Sequence, residues 1–209
     1  MPTPILSALQ TDALCEIFNL GVGRAAAALS QIVGNEVQLS VPEVALVMPE
    51  AVRHMLVASQ LSRLSTVSQH FSGPFEADAL LIFPETNALT IVSHMLDGQV
   101  AADELSEYEQ EAMCEVGNII HNACISAMAD QFQIELHGGL PEHHFCDVHN
   151  LGWFNGIAGG RSCILLLQID LNIQQDNIHG HILYLLGSAS LESIIAAVDH
   201  FLGELEGIA

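Results

Sequence analysis

Two pairs of side chains in this sequence combine a carboxylate with a carboxamide one helical turn away. Glu16 precedes Asn19 by three residues, and Glu115 precedes Asn118 by the same spacing. A carboxamide carries both a donor and an acceptor, so it can hold a water molecule with one lone pair aimed outward. A carboxylate one turn away can bind a lysine or arginine of a docking partner. Because neither group is a strong nucleophile, the pair suits the positioning of an attacking water in phosphoryl hydrolysis.

The two pairs belong to an internal repeat. The segments LCEIFNLG, residues 14–21, and MCEVGNII, residues 113–120, align with a displacement of 99 residues, which superimposes identical Cys, Glu and Asn residues. Pro42 and Pro141 keep the same displacement. A single Glu-x-x-Asn pattern is usually a solvated helix surface with a local asparagine hydrogen bond. Its duplication in register favours a function for both copies.

Both copies fall on predicted helices. Apolar residues at helical spacing predict a helix over residues 11–33 and another over residues 105–129. Residues three or four apart share a helix face, which gives two polar stripes: Asp12, Glu16, Asn19 and Gly23, and Glu111, Glu115, Asn118 and Asn122. Each stripe is expected to face solvent or a partner, since buried unpaired carboxylates are costly. Nearby glycines predict a close approach, because helical glycine is unfavourable by about 1 kcal/mol relative to alanine: Gly21, Gly23 and Gly117.

The remaining pattern predicts an α+β fold. In the first half we expect strands over residues 36–48, 62–72 and 76–83, a short helix after the first of these, and a helix over 86–96. In the second half we expect strands near 133–137, 161–171 and 179–186, and a helix over 191–202. We predict one domain over residues 1–209, a pseudo-two-fold repeat of α-β-β-β-α units at about 5–98 and 104–205. The units would share one mainly antiparallel sheet with the two long motif helices packed on it.

Charge and composition exclude several classes of partner. Four arginines and no lysine, against 25 acidic residues, give a net charge of −21. Such a surface repels polyanions, so neither nucleic acid nor a membrane is expected as a partner. The first residues lack the pattern of a signal peptide, no apolar run is long enough for a bilayer, and the five cysteines form no CxxC pair. These features predict a soluble, cytoplasmic protein.

A histidine-rich segment, residues 137–149, suggests a different chemistry. It holds several potential zinc ligands: His137, Glu142, His143, His144, Cys146, Asp147 and His149. Their spacing matches no standard zinc pattern, so a metal site here is only an alternative, and the sequence predicts no metal of its own. His179 and His181 alternate on a predicted strand and are read as exposed polar residues. The sequence contains neither the Walker-type loop of nucleotide-binding proteins nor the GxSxG motif of serine hydrolases.

The motif positions resemble those of the CheC, CheX and FliY phosphatases of bacterial chemotaxis. The family motif reads Asp or Ser, three residues, Glu, two residues, Asn, twenty-two residues, Pro. The first copy matches every position with Asp12, Glu16, Asn19 and Pro42. The second copy keeps the spacings but begins with Glu in place of Asp or Ser: Glu111, Glu115, Asn118 and Pro141. Two copies in one chain resemble the CheC-like members, since CheX-like chains carry one copy.

The resemblance implies hydrolysis of the aspartyl phosphate on a CheY-type response regulator. By that resemblance, Asn19 and Asn118 would orient the attacking water. Glu16 and Glu115 would contact the active-site lysine of the regulator. No cofactor of the chain's own is implied, because the Mg²⁺ would belong to the receiver domain of the partner.

The resemblance also assigns lesser roles and further partners. Asp12 and Glu111 would support the motif from its periphery, and Pro42 and Pro141 would be structural, at strands where proline limits pairing. CheC-type proteins pair with the receptor deamidase CheD, which makes CheD a second candidate partner. The alternative hypothesis is a non-catalytic binding module that docks a response regulator or a CheD-like partner without hydrolysis.

Overall fold

The helices and strands follow the predicted order except after the second motif helix, where a strand at residues 142–147 lies in a segment that was predicted as loop. A computed structural model describes residues 6–58, 62–101, 103–148, 154 and 163–208, with side chains up to residue 204. The first half contains α1 (Ala8–Val33), β1 (Val37–Val47), α2 (Pro49–Ala58), β2 (Arg63–Ser72), β3 (Ala77–Pro84) and α3 (Glu85–Met95). The second half contains α4 (Leu105–Phe132), β4 (His137–Gly138), β5 (Glu142–Asp147), β6 (Cys163–Ile173), β7 (Asp176–Leu186) and α5 (Ser188–Ile208).

The described strands form one antiparallel sheet. Their order is β1-β6-β7-β3-β2, and the outer edge of β2 pairs with both β4 and β5. The strands of the two halves correspond in pairs: β1 to β5, β2 to β6 and β3 to β7. If the members of each pair are exchanged, the strand order is the same when it is read from the opposite edge of the sheet. A pseudo-two-fold axis therefore passes between β3 and β7. This confirms the predicted α+β class and the shared sheet, whereas the exact repeat boundaries stay a prediction.

The two faces of the sheet are covered differently. The larger core lies between the sheet and the helices α1, α3, α4 and α5. A smaller core on the opposite face contains α2 and Phe154. Side chains of β6 alternate between these cores, with Leu167 and Ile169 toward the motif helices and Ile164 toward α2. Both motif helices are thus held on one face of one rigid sheet.

Local sequence fixes the ends and the seating of α1. Ser7 and Gln10 form a reciprocal capping box at its start, and Gly34 ends it with a left-handed φ of 72°. In the core, Phe18 stacks on Tyr184 of β7 with ring centroids 5.7 Å apart. These contacts determine which face of α1 stays exposed.

The close approach predicted from the glycines is made by the protein itself at two of the three positions. A Cβ added at Gly21 would lie 2.8 Å from backbone atoms of α4, so α1 and α4 cross in backbone contact there. A Cβ at Gly117 would lie 2.5 Å from the Val67 side chain of β2. Gly23 is exposed and no described part of the chain approaches it, so a close approach at that position stays a prediction about a partner.

The strand predicted near residues 133–137 was also wrong. The helix α4 runs three residues beyond its predicted end, and Gln133 closes it with a left-handed φ of 54°. Ile134 and Leu136 then pack against the helix-side core without pairing in a sheet. Strand pairing starts only at His137, in the short β4, and resumes in β5. The strand predicted from residue 161 begins at Cys163, and residues 161 and 162 lie outside the described ranges.

Within the described ranges, no helix combines the length and the apolar character that a membrane crossing demands.

Candidate functional site

Both polar stripes face outward from the motif helices. On α1, Asp12 and Glu16 are exposed and Asn19 is half-buried at the base of the stripe. On α4 the corresponding residues follow the same gradient: Glu111 and Glu115 are exposed, and Asn118 and Asn122 are half-buried. Each stripe therefore presents carboxylates to solvent above a carboxamide that reaches toward the sheet.

The motif proline interrupts the strand beneath the first stripe. The register between β1 and β6 shifts between Ser40 and Glu43, where Val41 and Pro42 together oppose Ile169. Proline has no N–H to donate to a strand ladder, and two residues opposite one make a β-bulge. The bulge frees the peptide groups of Val41 from strand pairing and leaves them to other partners.

Asn19 occupies that opening. Its Nδ2 donates to the Cys15 carbonyl oxygen at 2.9 Å and to the Val41 carbonyl oxygen at 3.1 Å, while its Oδ1 accepts from the Val41 N–H at 2.9 Å. The asparagine thus replaces the missing strand partner of the residue that precedes Pro42. This contact accounts for the spacing between Asn19 and Pro42 in the first copy. It also uses both N–H groups of the Asn19 side chain.

The second copy has a similar interruption. β4 ends at Gly138 and β5 begins at Glu142, and both strands pair with β2. On β2, only Gln69 and His70 lie between the residues that pair with β4 and those that pair with β5. The three residues 139–141, the last of which is the motif proline, therefore lie opposite two residues of β2. The break again lies directly beneath the motif helix.

Asn118 makes different contacts at this break. Its Oδ1 accepts from Asn122 Nδ2 at 2.7 Å and from Gln69 Nε2 at 3.4 Å. Gln69 Nε2 also donates to the Gly139 carbonyl oxygen at 2.9 Å. Among the described residues, no hydrogen bond is formed by Asn118 Nδ2. The second carboxamide is therefore held through its oxygen and keeps its amino group free.

Two substitutions between the repeats explain the difference. In the first repeat, Gly23 stands where the second repeat has Asn122, 99 residues later. Likewise Ile169 lies opposite the first bulge, where Gln69 lies opposite the second. Neither can hydrogen-bond an asparagine side chain. The two interruptions also differ in burial: Val41 is 2% exposed, whereas Leu140, at the equivalent position of the second copy, is 87% exposed.

An open cleft of about 640 Å³ lies beside the second stripe. Its polar wall carries Glu111, Glu115 and Asn118, and Pro141 lies at its edge with the Cys114 thiol 3.9 Å from the proline carbonyl oxygen. The rest of the lining is largely apolar: Met95, Leu96, Tyr108 and Ala112. An apolar wall with a few converging polar groups is typical of a binding site.

A buried polar cluster joins β5, β2 and α4. His143 Nε2 lies 2.8 Å from Ser65 Oγ and 3.7 Å from Glu109 Oε1, and all three side chains are shielded from solvent. Burial raises the pKa of Glu109 and lowers the pKa of His143 to about 4. Both contacts use the same ring nitrogen, so the cluster is not a Ser-His-acid relay, which needs both nitrogens. It joins β5 to the start of α4.

The histidine-rich segment does not form a cluster. His143 faces α4, whereas Cys146 and His144 face the other side of the sheet, toward Thr66 and Ser68. Within the described ranges, no three His, Cys, Asp or Glu side chains converge as metal ligands, and His149 lies outside those ranges. His179 is exposed and lies 2.7 Å from Asp170, as an ordinary cross-strand pair.

The unequal contacts of the two asparagines predict unequal effects on stability. We expect Asn19→Ala to lower the free energy of unfolding by about 1 to 2 kcal/mol, because it leaves the buried Val41 peptide groups without partners. Asn118→Ala should cost less, because Gln69 keeps its bond to Gly139. Urea unfolding of the two variants measures the difference. Equal losses would show that the Asn19 contacts add no stability beyond those of Asn118.

Known proteins with similar sequences point to one family. No protein-family model matches the chain. The CheY-P phosphatase CheC of Bacillus subtilis is 22% identical over 136 residues, which cover 64% of this chain and 65% of that protein. The flagellar motor switch phosphatase FliY of the same organism is 25% identical over 145 residues, which cover 68% of this chain and 37% of that protein. The chain is therefore similar in sequence to two proteins that are named as phosphatases, CheC and FliY. It spans less than two thirds of the length of either curated relative.

Solved structures match the fold of this chain. FliY of Thermotoga maritima matches with a TM-score of 0.79 at 17% identity, covering 95% of this chain and all of that one. FliM of H. pylori, in its complex with SpeE, matches with a TM-score of 0.67 at 12% identity, covering 93% of this chain and 97% of that one. At such identities the likeness concerns the fold alone.

The family motif omits part of this site. Gln69 contacts Asn118 from a strand of the other repeat, and Tyr108 lines the cleft one turn before the motif. The spacing predicts that Asn122 lies on the stripe, but it does not predict the hydrogen bond to Asn118. No sequence signal marks Gln69, because its neighbours come from distant segments that only the sheet register brings together.

Proposed function

We propose that the protein hydrolyses the aspartyl phosphate of a CheY-type response regulator. The observation that supports the proposal is the Asn118 side chain, which lines a cleft beside the exposed Glu115 and whose amino group forms no hydrogen bond among the described residues. The motif that surrounds it occurs twice, and both curated relatives are named as phosphatases. The cytoplasm, which the composition predicts for this chain, is the proposed compartment.

In this proposal Glu115 and Asn118 have different roles. Glu115 would pair with a lysine of the regulator and bring the phosphorylated aspartate to the cleft. Asn118 would hold a water in line with the phosphorus, so that little entropy is lost at the moment of attack. The Mg²⁺ bound by the regulator would neutralise charge on the phosphoryl oxygens. The exposed Glu111 adds a second negative charge at the mouth of the cleft, suited to a basic partner surface.

We assign most of the activity to the second site. At the first site both N–H groups of Asn19 bond the protein's own backbone, so holding a water there requires those bonds to break. At the second site the amino group of Asn118 is already free. Glu16 is exposed at the first site and remains able to dock a basic residue.

A second candidate function is a binding module without hydrolysis. The Asn19 contacts favour it for the first site, because an occupied carboxamide still leaves an acidic docking stripe. The fold is compatible with this role, since a similar FliM domain was solved in complex with SpeE. In this reading the stripes dock a response regulator or a CheD-like protein.

One experiment separates the two functions. A receiver domain is phosphorylated with acetyl phosphate and freed of the donor, and its phosphate lifetime is followed with sub-stoichiometric protein. We expect the wild type to shorten the lifetime with multiple turnovers. The Asn19→Ala/Asn118→Ala double variant should bind the receiver but leave the lifetime unchanged. Binding by the wild type without a shorter lifetime would support the binding module instead.

A further inference from the structure

We propose that Gln69 and Asn122 are positioning residues that turn the Asn118 carboxamide so that its amino group, and not its oxygen, faces the cleft. This inference rests on the proposed function and adds to it. It makes the second site a product of both repeats, since Gln69 lies on β2 and Asn118 on α4. It also gives a chemical reason for the inequality of the two sites.

The orientation of the three amides follows from one carbonyl group. The Gly139 carbonyl oxygen lies 2.9 Å from a terminal atom of Gln69, which must be the nitrogen because a carbonyl only accepts. That same nitrogen lies 3.4 Å from a terminal atom of Asn118, which is therefore the oxygen. The atom of Asn122 at 2.7 Å from this oxygen must in turn be a nitrogen. Each assignment determines the next, and the amino group of Asn118, a residue that lines the cleft, is left without a partner among the described residues.

Packing alone does not account for a glutamine at this position. Gln69 is 3% exposed, and its Oε1 is buried without a hydrogen-bond partner among the described residues. Such a buried, unsatisfied oxygen is unfavourable. The first repeat shows that an apolar residue serves the packing, because Ile169 occupies the equivalent place and is fully buried. What the glutamine adds over an apolar residue is the donor that it presents to Asn118 and Gly139.

The arrangement specifies how water would be held. Both lone pairs of Asn118 Oδ1 receive donors, so the water is bound by an N–H of Nδ2 to one of its own lone pairs. Its second lone pair attacks phosphorus. The new bond joins the water oxygen to phosphorus, and the bond from phosphorus to the aspartyl oxygen breaks with its electron pair on the carboxylate. The products are the free aspartate and dihydrogen phosphate, which retains both protons of the water.

Gln69→Met tests the positioning role, because methionine has similar length but no amide. We expect a fall of about tenfold in kcat for receiver dephosphorylation, with KM unchanged, since the misplaced water affects the chemical step and not docking. Gln168→Met is the matched control. Gln168 bonds only Asp170 among the described residues, and its substitution should leave kcat unchanged. Equal kcat values for the two variants would overturn the proposal.

Asn122→Asp tests which end of Asn118 acts on water. An aspartate can only accept, so it would draw the Asn118 amino group toward itself and turn the oxygen to the cleft. We expect kcat to fall at least as far as in Gln69→Met. Unchanged or higher kcat would mean that Asn118 acts through its oxygen, and would contradict the assignment.

A spectroscopic readout keeps this inference separate from the proposed function. In the unliganded protein, the side-chain amide protons of Gln69 and Asn122 should exchange with solvent more slowly than those of Gln168, and Asn118→Ala should accelerate the exchange of the Asn122 amide. Fast exchange at all three side chains would overturn the inference whatever the enzyme does. Slow exchange in a protein that leaves every receiver phosphate intact would instead refute the phosphatase.

Discussion

Replacing Asn118 with alanine is expected to lower the rate of receiver dephosphorylation by about 10²-fold, the size of effect seen when one preorganised hydrogen-bond donor is removed from an active site. The loss should lie in kcat, because Glu115 remains exposed for docking. Steady-state kinetics with a phosphorylated receiver measures the change. Titration of the variant with the receiver should give a Kd within about threefold of the wild-type value, since the docking carboxylate is retained.

Asn19→Ala is the matched control for this prediction, because the two asparagines occupy equivalent positions of the repeat. We expect it to lower the rate by less than about tenfold, since the Asn19 amino group already bonds Cys15 and Val41. The two variants should be compared at a temperature at which both are folded. A larger loss of rate for Asn19→Ala than for Asn118→Ala would contradict the assignment of the main activity to the second site.

The second large effect concerns the crossing of the two motif helices. Gly21→Ala is expected to lower the free energy of unfolding by about 2 to 3 kcal/mol. The added Cβ would lie 2.8 Å from the Ala123 carbonyl oxygen and from the Cys124 Cα, and backbone atoms cannot move aside as a flexible side chain can. The helices would have to separate. Urea unfolding at neutral pH provides the measurement.

Gly23→Ala provides the control for this helix, two residues away. Gly23 is exposed and nothing lies within 4 Å of an added Cβ, so the substitution should stabilise the protein by about 1 kcal/mol through helix propensity. A loss of stability in both variants would point to a general requirement for glycine in α1. A gain in both would show that the helices are not in backbone contact at Gly21.

Local patterns were sufficient for the architecture. The apolar periodicity of the motif helices predicted α1 and α4 to within three residues at each end, because burial of one face dominates helix formation. The repeat then predicted the pseudo-two-fold sheet, since each half alone has too few strands for a stable core. The strand predicted near 133–137 failed for a local reason, the left-handed Gln133 that ends α4.

The inequality of the two sites could not be predicted from the motif. In sequence, Asn19 and Asn118 share the motif spacing and the same preceding Cys-Glu pair, and the first copy matches the family pattern more fully. In the structure, their hydrogen bonds depend on which residue of a distant strand lies opposite the bulge. That residue is Ile169 beneath the first copy and Gln69 beneath the second. Sheet register determines this pairing, and register is a non-local property.

The phosphate lifetime of a CheY-type receiver in the presence of sub-stoichiometric wild-type protein tests the central claim most directly. We expect the rate of phosphate loss to rise in proportion to protein concentration, with many receivers turned over per molecule, and the Asn19→Ala/Asn118→Ala double variant to leave the intrinsic lifetime unchanged. A lifetime that stays at its intrinsic value while the wild type binds the receiver would contradict it.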